Sequence, residues 1–367
     1  MTTIWGGCGG DPGGAEPANR VSSKICDIQL EKNRVISPDS HRLRKVLFTD
    51  FERTEDGTVY LLDGRNVKIY MFGPAGNLRK IFLAPGSGPG EFAPHPKLQI
   101  LNHHLWVLGM RKIGKFTLAG DLVAEFKLKN YYRSKIMVDD HHFVAALEVR
   151  AKKENVNHKF NKLVGLVNLP EESVHPPFIE APDIGTLVVK LPEKRVMSII
   201  PGPRILPDLI FTVDTRRHIV YYANSSSYTI HKQQLDSRER GSFSVQYDPP
   251  PFSKEDKRYI AESIRDLTPD VKKQIAGMLP DVLPAIHEIR ALDSGHYMVR
   301  RITGVKDSVC DIVDAGGRFL CTANFAPELS PRRLKIYGAT IAIIKETDES
   351  NLYCEYHITN YQQVFGN

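Results

Sequence analysis

The chain has 367 residues, of which 41% are hydrophobic and 25% are charged, and its net charge at pH 7 is +6. This composition is that of an ordinary folded protein, and a chain of this length can form two domains or one large repeat domain. The positive charge is mild and scattered in short clusters, which argues against a nucleic-acid-binding surface. No apolar run approaches the roughly 18 residues of a membrane span.

The first 22 residues show no periodicity and are rich in Gly, Pro and Ala, so we expect a flexible tail over 1–22. Cys8 lies in this tail, and its surroundings resemble a bacterial lipoprotein, in which a small residue precedes a lipidated Cys and a flexible tether follows. Seven residues precede Cys8, which is fewer than a signal peptide needs. Either a signal peptide begins further upstream, or Cys8 is an incidental thiol in the tail.

From residue 46 onward, a pattern of four short strands separated by polar turns recurs about every 40 residues. The first two copies span 46–83 and 98–128, and the later copies are recognised by apolar second strands at 143–149, 219–223, 297–302 and 340–344. A period of this length with four strands per copy is typical of propeller blades. The sequence therefore predicts an all-β fold, a six-bladed β-propeller over residues 23–367.

The stretch APGSGPGEF, residues 84–92, separates the first two copies. Its glycines allow backbone with positive φ, and its prolines lack an amide donor, so neither a helix nor a central strand can pass through it. No helix follows the glycines, which argues against a phosphate-binding loop. We predict a structural connector made of Gly86, Gly88, Pro89, Gly90, Glu91 and Phe92.

Residues 253–280 interrupt the β pattern. Ser253 is a plausible N-cap, and apolar residues at helical spacing follow it. Thr268 and Pro269 begin a second short helix, which Pro280 ends. We predict a helical insertion between blades four and five.

The sixth copy has only three strands, which would leave an unpaired sheet edge. The side chains of residues 24–30 alternate with the period of a β-strand, and this segment precedes the first blade. We therefore expect it to complete the sixth blade beside 352–358. That pairing would place Cys26 next to Cys354. The two cysteines could then form a disulfide in an oxidising compartment or remain buried free thiols.

The chain resembles the bacterial six-bladed β-propeller family related to NHL repeats. The resemblance rests on the sequence GPGEF at 88–92, on PFS at 251–253 before the helical insertion, and on LPAI at 283–286 leading into the next blade. Members of this family are typically secreted or lipid-anchored envelope proteins without an assigned biochemical activity. The resemblance therefore implies a location in the periplasm or the outer cell envelope.

Two histidine pairs occupy the same turn of consecutive blades, between the first and second strands. They are His103 with His104, and His141 with His142. Equivalent turns of a propeller meet on one face, so a metal cluster is one hypothesis and solvent-exposed histidines are the other.

Acidic residues on the innermost strands suggest a different chemistry. Asp50 and Glu52 lie in the first blade and Glu288 in the fifth. Calcium-dependent lactonases of the gluconolactonase family share the six-bladed plan and place acidic ligands at the central channel, so a metal-dependent hydrolase is the enzymatic alternative.

The sequence contains no nucleophile elbow, P-loop or dinucleotide-binding motif. We therefore predict a monomeric, non-catalytic binding or scaffolding propeller that uses no cofactor. It would engage a protein or glycan through loops on one face, and it would contact the membrane only through a lipid anchor at Cys8.

Overall fold

The computed structural model describes residues 19–365 apart from 42, 44–45, 156–157, 183–186, 191–195, 200–204, 265–266, 293, 306, 326–333 and 347–350. Over these residues the chain forms six blades around a central channel, each a mainly antiparallel sheet. The predicted six-bladed β-propeller is confirmed. Cys8 lies outside the described residues.

The strands follow the chain from the inside of each blade to the outside. Before blade 1 come β1 (Ile25–Asp27) and β2 (Leu30–Ile36). Blade 1 contains β3 (Phe48–Arg53), β4 (Val59–Asp63), β5 (Lys68–Phe72) and β6 (Leu78–Phe82), and the short β7 (Ala84–Pro85) and β8 (Glu91–Phe92) follow. Blade 2 contains β9 (Lys97–Leu101), β10 (His104–Leu108), β11 (Lys112–Thr117) and β12 (Leu122–Lys127). Blade 3 contains β13 (Tyr132–Met137), β14 (His142–Asn155), β15 (His158–Asn168) and β16 (Ile179–Pro182), and the hairpin β17 (Leu187–Lys190) and β18 (Val196–Ile199) follows.

The second half of the chain repeats this order. Blade 4 contains β19 (Leu209–Asp214), β20 (Ile219–Asn224), β21 (Thr229–Gln234) and β22 (Arg240–Ser244), and the helices α1 (Lys254–Ser263) and α2 (Pro269–Met278) follow. Blade 5 contains β23 (Ile286–Ala291), β24 (Tyr297–Ile302), β25 (Ser308–Val313) and β26 (Phe319–Asn324). Blade 6 contains β27 (Leu334–Tyr337), β28 (Thr340–Glu346) and β29 (Asn351–Ile358), and a short helix α3 (Tyr361–Phe365) follows.

The second strand of each blade is covered by neighbouring blades on both faces, which explains its continuous apolar sequence. All five residues of β4 and all six of β24 are buried. Neighbouring blades are held together by apolar clusters between their sheets. Trp106, Tyr132 and Phe143, for example, fill the space between blades 2 and 3.

The ring is closed by the N-terminal segment, but not by the predicted residues. The strand that completes blade 6 is β2, which pairs antiparallel with β29 so that Leu30 lies opposite Ile358 and Ile36 opposite Tyr353. The preceding β1 instead adds a fifth strand to blade 5, parallel to β26. The predicted closing strand at 24–30 was therefore placed about six residues too early.

The predicted pairing of Cys26 with Cys354 is wrong. Cys26 forms a disulfide with Cys321 of β26, across 295 residues of sequence, with a Cα–Cα distance of 5.8 Å. Cys354 and Cys310 are buried free thiols. Because β1 runs along blade 5, Cys26 reaches a thiol of that blade instead of one in blade 6.

The predicted tail is also too long, because residues 19–22 are bound to the propeller. The Asn19 side chain donates to the carbonyl oxygens of Ser244 and Gly317 at 2.9 and 2.7 Å and accepts from the Phe319 amide at 2.9 Å. These contacts join blades 4 and 5.

The helical insertion lies where it was predicted. The Ser253 hydroxyl accepts from the Asp256 amide at 3.0 Å, which caps α1. The buried side chains of both helices pack with Phe252, Leu283 and Ile302, which anchors the pair to blade 5. Helix α3 was not predicted, and the second strand of blade 3, predicted at 143–149, is longer and spans His142–Asn155 as β14.

The connector is a compact loop. Gly90 has a φ of 71° and Gly86 a φ of 151°, whereas Gly88 is not at positive φ. The Glu91 carboxylate accepts from the Gly88 amide at 2.8 Å and occupies the space that a Cβ on Gly86 would need. Phe92 is buried against blade 2, so the loop fixes the approach of the second blade to the first.

Replacing Gly90 with Val should lower the free energy of unfolding by roughly 1–3 kcal/mol, because a β-branched residue resists positive φ. The nearest atom to a Cβ at this position is 3.8 Å away, so the loss comes from the backbone and not from a clash. Gly90→Asn is the control, since Asn tolerates this conformation and should lose less. Equal urea midpoints for Gly90→Val and the wild type would contradict the assignment.

Removing the disulfide with Cys26→Ser should lower the free energy of unfolding by up to about 6 kcal/mol, the chain-entropy value for a loop of this size. Urea unfolding with and without a reductant measures the effect. Reductant should bring the wild type to the midpoint of the variant and leave the variant unchanged. A midpoint for the oxidised wild type that does not respond to reductant would show that the bond does not stabilise the fold.

Candidate functional site in the central channel

The first strand of each blade lines a central channel. These six innermost strands, together with adjacent turns, enclose a cavity of about 1030 Å³. Cavities of this size are typical of small-molecule sites. Its charged lining consists of four carboxylates (Asp50, Glu52, Asp208 and Glu288) and five basic side chains (Lys97, Lys135, Lys162, Arg290 and Lys335) within the described chain.

The two faces of the propeller differ. The turns between strands one and two and between strands three and four lie on the face where the innermost strands end, which we call the turn face. Most of these turns are short, with the connection at 169–178 in blade 3 as an exception. Several use glycine at positive φ: Gly57, Gly76, Gly120, Gly295, Gly317 and Gly338. The opposite face, where the innermost strands begin, carries the connections between blades, and we call it the loop face.

Most of the long connections in the described part of the chain lie on the loop face. They are the connector at 84–92, the extended tip of the β14–β15 hairpin, the β17–β18 hairpin and the α1–α2 pair. The propeller therefore has one plain face and one elaborated face.

Blades 6 and 1 meet at an ion cluster in the channel. Lys335 donates to Glu52 Oε1 at 2.8 Å and to the Phe51 carbonyl at 2.6 Å, and its Nζ lies 3.5 Å from Asp50 Oδ1. Burial raises the pKa of Glu52 despite this cation. Burial acts in the same direction on Asp50, but the charges of Lys335 and Lys97 and the Leu98 amide outweigh it and hold the pKa of Asp50 below its ordinary value.

Glu288 of blade 5 is also paired. Arg290 Nε donates to its Oε1 at 2.6 Å, and Arg300 Nε, on a side chain only 3% exposed, lies 3.4 Å from its Oε2. The three acidic residues predicted for the channel are therefore in the channel, but each faces a lysine or arginine.

This arrangement does not fit a calcium site. Calcium requires six to eight oxygen ligands converging on one point, whereas the channel carboxylates are directed at cations on separate blades. Among the described residues, no group of three or more His, Cys, Asp or Glu side chains is placed to hold a metal ion.

The histidine pairs lie on the turn face, away from the lysines at the channel entrance. His142 Nδ1 is 2.9 Å from Asp139 Oδ2, and His104 Nδ1 is 2.7 Å from the Asn102 carbonyl oxygen. These are local turn contacts. Over the described residues the structure does not bring the two pairs into one metal-binding group.

Two channel lysines differ from the others. Lys135 Nζ donates to the carbonyl oxygens of Tyr132 and Met110 at 2.9 and 3.4 Å, and burial lowers its pKa to about 8. Lys97 is exposed at the start of β9. Neither Nζ has a described carboxylate within 4.0 Å.

Sequence reasoning found the acidic residues of the channel but missed its cations. The available signal was the position of Lys97, Lys135 and Lys335 within the first strand of their blades. A basic residue on an innermost strand faces the channel instead of bulk solvent. These lysines could therefore have been assigned to the channel on the same ground as the acids.

Comparison with known proteins supports the fold alone. A predicted exported protein from Bacteroides fragilis NCTC 9343 superposes with a TM-score of 0.52 at 11% identity, covering 91% of this chain and 99% of its own. A member of the DUF4221 family from Bacteroides vulgatus ATCC 8482 gives a TM-score of 0.52 at 9% identity, covering 91% of this chain and 98% of its own. The chain is a six-bladed β-propeller.

No family model matches the sequence, and no curated protein matches it. The relation to NHL repeats therefore stays a prediction from the sequence.

The Lys135→Met variant should be more stable than the wild type at pH 7. The pKa of Lys135 is about 8 in the folded protein and 10.5 ordinarily. Between these pH values the unfolded state binds more protons than the folded state. The wild type therefore gains stability as the pH rises from 8 to 10.5. Below pH 8 the full desolvation penalty is present. Removing the buried cation should add roughly 1–2 kcal/mol at pH 7, after the loss of two hydrogen bonds to carbonyls.

Urea unfolding at pH 7 and pH 10.5 measures this difference, which should shrink at the higher pH. Lys97→Met is the matched control, since the exposed Lys97 should change stability little. A Lys135→Met variant that is less stable than the wild type at pH 7 would contradict the prediction.

Proposed function

We propose that this chain is an exported, non-catalytic binding or scaffolding propeller of the bacterial cell envelope that engages a protein or glycan through its loop face. The observation that carries the proposal is the concentration of long connections on that face. Binding residues are commonly held on loops that a rigid scaffold positions. The mostly short turns of the opposite face leave it less surface for recognition.

The location is supported by two observations. A disulfide that joins distant parts of the chain is expected in an oxidising compartment. One protein of similar fold is described as exported, although the likeness itself concerns the fold. Within the described residues, no helix is long and apolar enough to cross a membrane. Attachment through a lipidated Cys8, a monomeric state and the absence of a nucleic-acid partner remain parts of this proposal.

The hydrolase alternative rests on Asp50, Glu52 and Glu288, which line the channel. Their pairing with Lys335, Arg290 and Arg300 leaves them directed at cations instead of at a common metal. The binding function is therefore the better supported of the two.

The proposal is tested by screening an array of envelope glycans and a cross-linked envelope protein fraction with the wild type and two charge-reversal variants. Lys129 is exposed in the connection between blades 2 and 3 on the loop face, and Arg238 is exposed in a turn of blade 4 on the turn face. We expect Lys129→Glu to weaken binding of the identified ligand and Arg238→Glu to leave it unchanged.

The opposite dependence on these variants would contradict the assignment of the face. Calcium-stimulated hydrolysis of a γ- or δ-lactone that Asp50→Asn abolishes would contradict the non-catalytic assignment and favour the hydrolase.

A further inference from the structure

The two lysines without carboxylate partners lie at the same level of the channel. Gln99 of β9 and Met137 of β13 are linked by two hydrogen bonds, of 2.9 Å from the Gln99 amide nitrogen to the Met137 carbonyl and 2.7 Å from the Met137 amide to Gln99 Oε1. Both strands run in the same direction along the channel. Lys97 and Lys135 each precede this link by two residues, and residues two apart point to the same side of a strand.

An independent contact supports this placement. Lys135 Nζ donates to the Met110 carbonyl, in the turn that follows β10. Lys97 pairs with Leu108 at the end of β10, two residues before Met110. The Lys135 side chain therefore crosses from blade 3 to the edge of blade 2 at which Lys97 lies. This edge belongs to the loop face, at the channel entrance.

The charge at this level is unbalanced. Lys162 is paired with Asp208 at 2.8 Å, Lys335 with Glu52, and Arg290 with Glu288. The charge of Lys97 acts on the Asp50 carboxylate, which lies more than 4.0 Å from Lys97 Nζ. The Asp50 carboxylate contacts Lys335 and the Leu98 amide instead. Two ammonium groups thus face the entrance with no described carboxylate within 4.0 Å of either nitrogen.

Lys135 retains binding capacity in this position. An ammonium group has three donors, and the contacts to Tyr132 and Met110 use two of them. Holding a cation in a partly buried place lowers stability unless an anion compensates. Ser134 and Thr212 also line the cavity and offer hydroxyls that both donate and accept.

We propose that the channel entrance binds the carboxylate of a sugar acid, with Lys97 and Lys135 on either side of the anion and the sugar hydroxyls directed into the cavity. This inference rests on the proposed binding function and names its ligand class. The cavity of about 1030 Å³ admits a saccharide of one to three units but not a folded protein domain.

Isothermal titration calorimetry in low salt tests the proposal with four probes: galacturonate, trigalacturonate, neutral galactose and pentaglutamate. We expect one or both uronates to bind and galactose not to bind. Binding of the monomer would identify a free sugar acid as the source of the anion, and binding of the trimer alone would identify the end of an acidic polymer. Affinity should fall as salt rises, because both charges are partly exposed to solvent.

The variants Lys97→Met and Lys135→Met should each raise the Kd at least tenfold. Arg238→Met is the matched control, since it removes one positive charge from the turn face, away from the channel entrance. Lys135→Arg keeps the charge and should retain most of the affinity. Urea unfolding of each variant confirms folding, and Lys135→Met is expected to be the most stable of them.

Equal affinity for uronate in the wild type and both channel variants would overturn the proposal, as would binding of pentaglutamate alone or the absence of uronate binding. In each of these cases a glycan or protein ligand sensitive to Lys129→Glu would still uphold the loop-face function, so failure of this inference can be told from failure of the proposed function.

Discussion

A propeller built from six sheets is stable only if its ring is closed, and in this protein residues 19–36 close it. This segment binds three consecutive blades. The Asn19 side chain links blades 4 and 5, β1 and its disulfide extend blade 5, and β2 completes blade 6. Without β2 the sheet of blade 6 would end at β29 with an unpaired edge.

The geometry of the channel depends on that closure. Each of the six blades contributes one strand to the lining, so residues distant in sequence meet only when the ring is complete. The contact of Lys335 with Glu52 spans the junction between the last blade and the first. Arg34 of β2 reinforces the same junction, since it contacts Glu355 within blade 6 and donates to the Gly57 and Pro74 carbonyls of blade 1 at 3.0 Å.

The features predicted correctly from the sequence are those encoded locally. The four-strand repeat, the connector around Gly90 and the helix that begins after Ser253 each depend on residues close together in the chain. The acids Asp50 and Glu52 were correctly placed at the channel because alternation within one strand decides which side chains point inward.

The features predicted wrongly depend on partners far apart in the chain. Residues 24–30 and 30–36 both fit a strand, and the choice between them is made by contacts such as that of Arg34 with Glu355, more than 300 residues away. The partner of Cys26 follows from that choice, because a shift of about six residues moves it from blade 6 to blade 5. The pairing of channel charges likewise depends on which blades are neighbours. Spacing alone therefore could not show that Lys97 and Lys135 lack a carboxylate in contact.

The disulfide also determines how the protein would carry a mechanical load. Cys26 precedes β2 in the chain, and its bond leads directly into β26. Tension applied at the N-terminal side would therefore pass through the covalent bond into blade 5 and would not peel β2 away from β29. A propeller tethered at that end and pulled by a bound ligand would keep its closing strand unloaded, and the shape of its channel would be preserved under force.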